Sequence, residues 1–331
     1  MDFKDILGKF NSKPENNRIA GIENSAEPIK PHEKRKTFTV AIVNQKGGCG
    51  KTTTAVNLSA CLAEKGYKTL LVDLDAQAHA SLGIGVDVAA LKSSVCDVFK
   101  NSSDMTKVIL PTSIANLDVV PATPLLSGIQ LEIADVLGRE GILRIAIKKM
   151  LEKMAEPYHY IIIDCSPTLN IITINALTSA RYVLVPIQTH YYSLEGMKEL
   201  LSTIDVVKDR LNPDLDILGI LVTLFDKRPK INREMLSQIK EYFNTLLFDT
   251  MVNINVKLCE APIYKKPITA YDPSCRGAED YLKVAHEFLM RTDETYKLLN
   301  EPVDVPTAVQ VVDNQTTVQA DITYMEGKIS G

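Results

Sequence analysis

The sequence predicts an α/β domain, a doubly wound and mostly parallel sheet with helices on both faces. Three observations carry that prediction. Short segments that are apolar throughout recur along the middle of the chain, which suits strands buried on both faces. Segments of helical periodicity lie between them, the alternation that produces right-handed crossovers and parallel order. The first strand also runs through a glycine-rich turn directly into a helix, at Thr39-Val-Ala-Ile-Val-Asn-Gln-Lys-Gly-Gly-Cys-Gly-Lys-Thr-Thr-Thr54.

The chain is long enough, at 331 residues, for one large domain or two small ones. Its net charge of −4 excludes a generally basic nucleic-acid binder, so any such binding must come from a local patch. Six cysteines form no C-x-x-C pair and join no histidine at zinc spacing; Cys49 within the glycine turn and Cys165 beside a strand-end acid point to a reducing compartment. The N-terminus lacks the apolar core of a signal peptide, and no run of 18 apolar residues occurs. A cytoplasmic protein is expected.

Residues 1–36 read as a tail. Asp2 to Phe10 places Phe3, Ile6, Leu7 and Phe10 on one helical face, and Pro14, Pro28 and Pro31 then mark a flexible linker. Strands are expected from Thr39, at 69–73, 117–121, 160–164, 182–186 and 217–223, with a seventh at 246–252. Helices are expected at 52–65, 140–154, 171–178, 194–210, 231–244 and 277–292. Residues 37–293 thus form the domain. Residues 294–331 read as an acidic, disordered tail, because 301–331 hold five acidic residues against Lys328 alone.

The glycine turn is a phosphate cradle. Gly47, Gly48 and Gly50 let backbone N–H groups converge on an anion, and the first turn of the following helix adds its own unpaired N–H groups. Lys46, Gly47, Gly48, Cys49, Gly50, Lys51, Thr52 and Thr53 form the expected nucleotide-binding set, with Lys51 as a point charge and the Thr52 hydroxyl as a Mg²⁺ ligand. The pattern G-x-x-x-x-G-K-[ST] fails at its first glycine, where Gln45 stands, and Lys46 precedes the glycines instead. Lys46 can reach phosphate in its own subunit or in a facing one; the plain alternative is an exposed lysine at a strand end.

Acids at strand ends come next. Asp164 closes the apolar Tyr160-Ile-Ile-Ile run and suits a water-mediated metal contact, with a helix N-cap before Ser166-Pro167 as the alternative. Asp73 and Asp75 follow the second strand at i, i+2, so that one can face a metal and the other a water. In a doubly wound sheet these ends share one rim with the glycine turn. His79 reads as a solvated loop residue.

These segments together resemble the ParA branch of the ParA/MinD ATPases, which have the P-loop NTPase fold. The resemblance rests on Lys46-Gly-Gly-Cys-Gly-Lys-Thr-Thr-Thr54, Leu71-Val-Asp-Leu-Asp-Ala-Gln77, Ile162-Ile-Asp-Cys-Ser-Pro167 and Tyr192-Ser-Leu-Glu-Gly196. Leu221-Val-Thr-Leu-Phe-Asp226, Leu258-Cys-Glu-Ala-Pro262 and Tyr271-Asp-Pro-Ser-Cys-Arg-Gly-Ala278 extend it. It implies an ATPase that uses ATP and Mg²⁺ and dimerises around two ATP molecules. Lys46 then matches a lysine that reaches the partner's phosphates, Asp75 the acid that positions the attacking water, Asp73 an acid of the metal region and Asp164 the Walker B acid. Gly47 lies where the subunits approach. The resemblance further implies a nucleoid-associated homodimer that binds DNA without sequence preference and is released when a ParB-type centromere-binding partner stimulates hydrolysis.

For DNA, Arg228 matches a contacting arginine of the family. The second such arginine stands in a V-I-P-R-N-V-R-like stretch, where this chain has Met251-Val-Asn-Ile-Asn-Val-Lys257, with Ile254 at the arginine's place. Lys257, Lys265, Lys266 and Arg276 are the nearby charges expected to meet phosphate in its stead. Three other readings share parts of this pattern. A MinD-like membrane-cycling regulator needs a basic amphipathic C-terminal helix, whereas this tail is acidic and carries Pro302 and Pro306. An iron–sulfur scaffold needs paired cysteines. A nucleotide-gated adaptor for another cargo differs only in partner.

Overall fold

The computed structural model describes residues 37–101, 104–190 and 192–293. The two tails, including the Asp2–Phe10 segment, lie outside the described residues. Among these residues the sheet has seven strands: β1 (Phe38–Ile42), β2 (Thr69–Leu74), β3 (Leu110–Pro111), β4 (Leu117–Val120), β5 (Tyr160–Cys165), β6 (Tyr182–Ile187) and β7 (Asp216–Val222). Their spatial order is β3-β4-β2-β5-β1-β6-β7, parallel except for β3, which runs antiparallel to β4 at the edge.

Alternation along the strands explains why each reads as apolar throughout. Val40 and Ile42 of β1, Leu71 of β2 and Ile162 of β5 face one core. Ala41, Val72, Ile161 and Ile163 face the other. The first core is closed by α1 (Lys51–Glu64) and by the C-terminal helix Arg276–Thr292, whose Tyr281, Val284, Ala285 and Phe288 are buried against it. The second is covered by helices at Ile142–Lys153, Ile171–Ser179, Tyr192–Arg210 and Lys230–Phe243. The six expected helices are therefore present, with ends that differ by one or two residues. No helix among the described residues is long and apolar enough to cross a membrane.

The seventh strand differs from expectation. Residues 246–252 form no strand and make one isolated bridge, Ile220 to Leu247, with a second just beyond, Phe225 to Asn253. Phe248 N and Val252 N still donate to Ile220 O and Val222 O. Between them, however, Glu287 accepts from Asp249 N and Thr250 N, each at 2.9 Å, and so draws two donors out of the ladder. The opposite edge of the sheet is β3, Leu110–Pro111, where a proline costs little because one side of the strand is unpaired.

Register sets the site. β2, β5 and β1 are consecutive in the sheet, and Asp73 pairs with Asp164, which in turn pairs with Ile42. The acid of β2, the acid of β5 and the turn that follows β1 therefore emerge side by side at the strand C-terminal ends, the rim where ligands of such sheets bind.

Candidate nucleotide site

The turn after β1 is fixed by long-range hydrogen bonds. Asn44 Nδ2 donates to Pro186 O at 2.6 Å, and its Oδ1 accepts from Lys46 N at 3.0 Å. Gln188 Nε2 donates to Gly48 O at 2.8 Å, and Thr223 Oγ1 donates to Cys49 O at 2.8 Å. The ends of β6 and β7 thus clamp the loop. Gly48 and Gly50 have φ of +71° and +83°, the left-handed region that favours glycine. Gly50 immediately precedes α1, so the N–H groups of Lys51, Thr52 and Thr53 begin the helix without intrahelical partners.

Lys51 is buried, and its Nζ donates to Lys46 O at 3.1 Å, which ties the two lysines into one turn. Gly47, Gly48, Gly50, Lys51, Thr52, Thr53 and Asp75 line one cavity of about 380 Å³. Thr223, Leu224 and Tyr281 close its other side. Cys49 lies buried beneath the loop. Burial pushes its thiol up, which keeps it protonated and inert as a ligand.

The two buried acids have different surroundings. Asp73 Oδ2 accepts from Ser81 N at 2.8 Å and Ser81 Oγ at 2.6 Å, and Oδ1 accepts from Asp75 N at 3.1 Å. Burial raises its pKa to about 6 against those bonds. Asp164 is fully buried, and neither carboxylate oxygen has a hydrogen-bond partner. Its pKa is raised well above the usual carboxylate range, first by burial and then by the charge of Asp73. The Thr52 hydroxyl stands near enough to oppose the shift but falls short of hydrogen-bond geometry.

An orphaned carboxylate beside a threonine at a helix N-terminus fits a Mg²⁺ ion that keeps part of its water shell. Asp73, the other acid expected in the metal region, is held by the protein itself. Its oxygens already accept three donors, and those bonds tie it to Asp75 and Ser81.

The remaining expected residues are spread over an adjoining surface. Arg228 is exposed and makes a two-point pair with Asp226, Nη2 to Oδ2 at 2.6 Å and Nε to Oδ1 at 2.9 Å. Lys257 pairs with Glu260 at 2.8 Å and lies 5.8 Å from the centre of the Tyr271 ring. Lys265, Lys266 and Arg276 are exposed. Lys266 lines a second cavity, of about 440 Å³, which shares Thr52, Thr53 and His79 with the first. Ile254 is 58% exposed. Two of the five cations expected to meet DNA are therefore already ion-paired, in pairs that solvent reaches and weakens.

Asn44, Gln188, Thr223 and Ser81 were not among the expected site residues. Position at a strand end was the available signal for Gln188 and Thr223.

Comparison with known proteins decides the family. A family profile described as an AAA domain matches residues 37–217. The chain is 45% identical over 248 residues to the sporulation initiation inhibitor protein Soj of Bacillus subtilis, covering 75% of this chain and 96% of that one. The chain belongs to the ParA/Soj family of partition ATPases. The chromosome partitioning protein ParA of Myxococcus xanthus is 43% identical over 252 residues, covering 76% of this chain and 88% of its own. Among solved structures, cobyrinic acid a,c-diamide synthase from Mycobacterium smegmatis with bound ADP and magnesium superposes with a TM-score of 0.66 at 31% identity. That match covers 78% of this ParA-family chain and 97% of the synthase.

Proposed function

We propose that this ParA-family protein hydrolyses ATP with Mg²⁺ and uses the bound triphosphate to close a homodimer that holds DNA. The observation that carries this reading is the buried Asp164, without a hydrogen-bond partner at either oxygen, in the strand next to the one that bears the glycine loop. That carboxylate is costly unless a cation joins it.

The loop N–H groups and Lys51 bind the β- and γ-phosphates. Thr52 and Asp164 are the residues that would hold the metal, which would supply positive charge to the phosphate oxygens. Asp75 orients the attacking water at the cavity wall. Lys46 reaches across to the partner's phosphates, a lysine equivalent of a finger supplied in trans, an effect worth about 10³ to 10⁵ in rate for arginine.

The closed dimer presents Arg228, Lys257, Lys265, Lys266 and Arg276 to duplex phosphates. The solvent-accessible ion pairs of Arg228 and Lys257 exchange for a polyanion, which gives sequence-independent, salt-sensitive binding. A ParB-type centromere-binding partner stimulates hydrolysis and releases the dimer, so that cargo DNA follows the ATPase over the nucleoid in the cytoplasm.

Light scattering of the eluted protein tests the dimer. With ATP and Mg²⁺, Asp75→Ala is expected to elute as a dimer. Lys46→Ala is expected to bind ATP and remain a monomer. A Lys46→Ala protein that dimerises and turns over normally would remove the trans role.

A further inference from the structure

We propose that Ser81 is a positioning residue for hydrolysis, acting through Asp73 on the backbone that carries Asp75. The proposal rests on Asp75 being the acid that orients water. Ser81 is fully buried in the short helix His79–Gly83. Its hydroxyl has two partners. It donates to Asp73 Oδ2 at 2.6 Å and accepts from Ala122 N, just beyond β4, at 3.1 Å. The Ser81 backbone N–H adds a second bond to the same Asp73 oxygen at 2.8 Å. The other Asp73 oxygen accepts from Asp75 N at 3.1 Å.

Ser81 therefore joins three separate pieces: the end of β2, the segment past β4, and the loop from Asp73 to Ala78. That loop needs bracing. Ala78 sits at φ +53°, a left-handed conformation that a non-glycine residue keeps only when its surroundings over-determine it. On one side of the strained turn, Asp75 is bonded to Asp73. On the other, Ala78 O accepts from Leu82 N at 2.9 Å within the helix that holds Ser81. Asp75 O accepts from Ala78 N and its Oδ1 from Gln77 N, both at 2.9 Å, so the turn closes on the residue it positions. A hydroxyl at 81 is the group that satisfies both Asp73 and Ala122. Alanine keeps the backbone bond but leaves Ala122 N unpaired in the core and Asp73 one donor short.

The test is single-turnover hydrolysis of radiolabelled ATP by the full chain with Mg²⁺ and sonicated duplex DNA, with ATP affinity measured separately. Ser81→Ala is expected to slow hydrolysis by roughly 10-fold to 100-fold, the loss typical of a hydrogen bond to a charged group, with the ATP dissociation constant within about threefold of wild type. Ser81→Thr, which retains the hydroxyl, is expected to restore most of the rate. In an Asp75→Ala background, Ser81→Ala is expected to add no further loss, because both act on one step.

Wild-type turnover by a folded Ser81→Ala protein overturns the proposal. So does a loss of ATP affinity as large as the loss of rate, or an additive effect with Asp75→Ala. If Ser81→Ala does not fold, Ser81→Cys, with a weak donor of similar size, is expected to fall between serine and alanine, and a rate equal to serine's overturns the proposal. Normal turnover by Asp75→Ala alone would remove the role given to Asp75, and this proposal with it, an outcome distinct from a failure at Ser81.

Discussion

Asp164→Asn is expected to stabilise the nucleotide-free protein while removing its response to Mg²⁺ and ATP. The carboxylate is fully buried, lacks a hydrogen-bond partner at either oxygen and is paired in register with a second buried acid, Asp73. An uncompensated buried charge costs about 3 kcal/mol. The isosteric amide removes the charge but leaves polar atoms unpaired, at about 1–2 kcal/mol. The net gain is therefore about 1–2 kcal/mol, or about 2–8 °C in melting temperature for a domain of this size.

The pH dependence has a definite sign. Both acids have pKa values raised on folding, so the folded protein retains protons that the unfolded chain releases. Stability is then fully present at low pH and is lost as pH rises. For Asp73 the window runs from the ordinary 3.8 to about 6, on the order of 3 kcal/mol at a little over 1.3 kcal/mol per unit, and Asp164 acts in the same direction. Thermal melts in EDTA between pH 5 and 8 are expected to show wild type falling and Asp164→Asn flatter. Added Mg²⁺ and ATP are expected to raise only wild type. A lower melting temperature for ligand-free Asp164→Asn at pH 7.5, or equal stabilisation of both proteins by Mg²⁺ and ATP, would refute the assignment of Asp164 as a cation-facing acid.

Other perturbations separate the parts of the site. Lys51→Ala is expected to abolish ATP binding, as measured by a fluorescent analogue; micromolar affinity retained would remove the cradle assignment. Gly47→Val is expected to leave the monomer's stability nearly unchanged, since a Cβ there meets nothing within 4 Å, yet to block the ATP dimer in light scattering. Thr223→Val removes the 2.8 Å bond to Cys49 O and is expected to weaken ATP binding several-fold, a loss of about 1 kcal/mol. Arg228→Glu combined with Lys257→Glu is expected to remove ATP-dependent DNA retention while ATP affinity holds; unchanged, salt-sensitive binding would place the patch elsewhere.

Much of this site is legible in the sequence because it depends on local chemistry. Gly48, Gly50, Lys51 and Thr52 announce a strand, a turn and a helix start within one short segment, and Asp164 is marked by the apolar run before it. What was not legible depends on distant contacts. Thr223 clamps Cys49 across 174 residues, and Gln188 clamps Gly48 across 140. The apolar run at 246–252 reads as a strand until Glu287, on the last described helix, takes two of its donors. Ser81 stands in an unremarkable alanine-rich stretch, and only the register that places β2 next to β4 brings it between Asp73 and Ala122. For the same reason, spacing shows Asp73 as an acid at a strand end but not which donors already occupy it.

The central claim is that ATP gates DNA binding. Retention of the full chain on non-specific duplex DNA, measured with ATP and Mg²⁺, with ADP and Mg²⁺ and without nucleotide, tests it most directly. Strong, salt-sensitive retention is predicted with ATP alone. Equal retention in all three conditions, or none in any, would contradict the account.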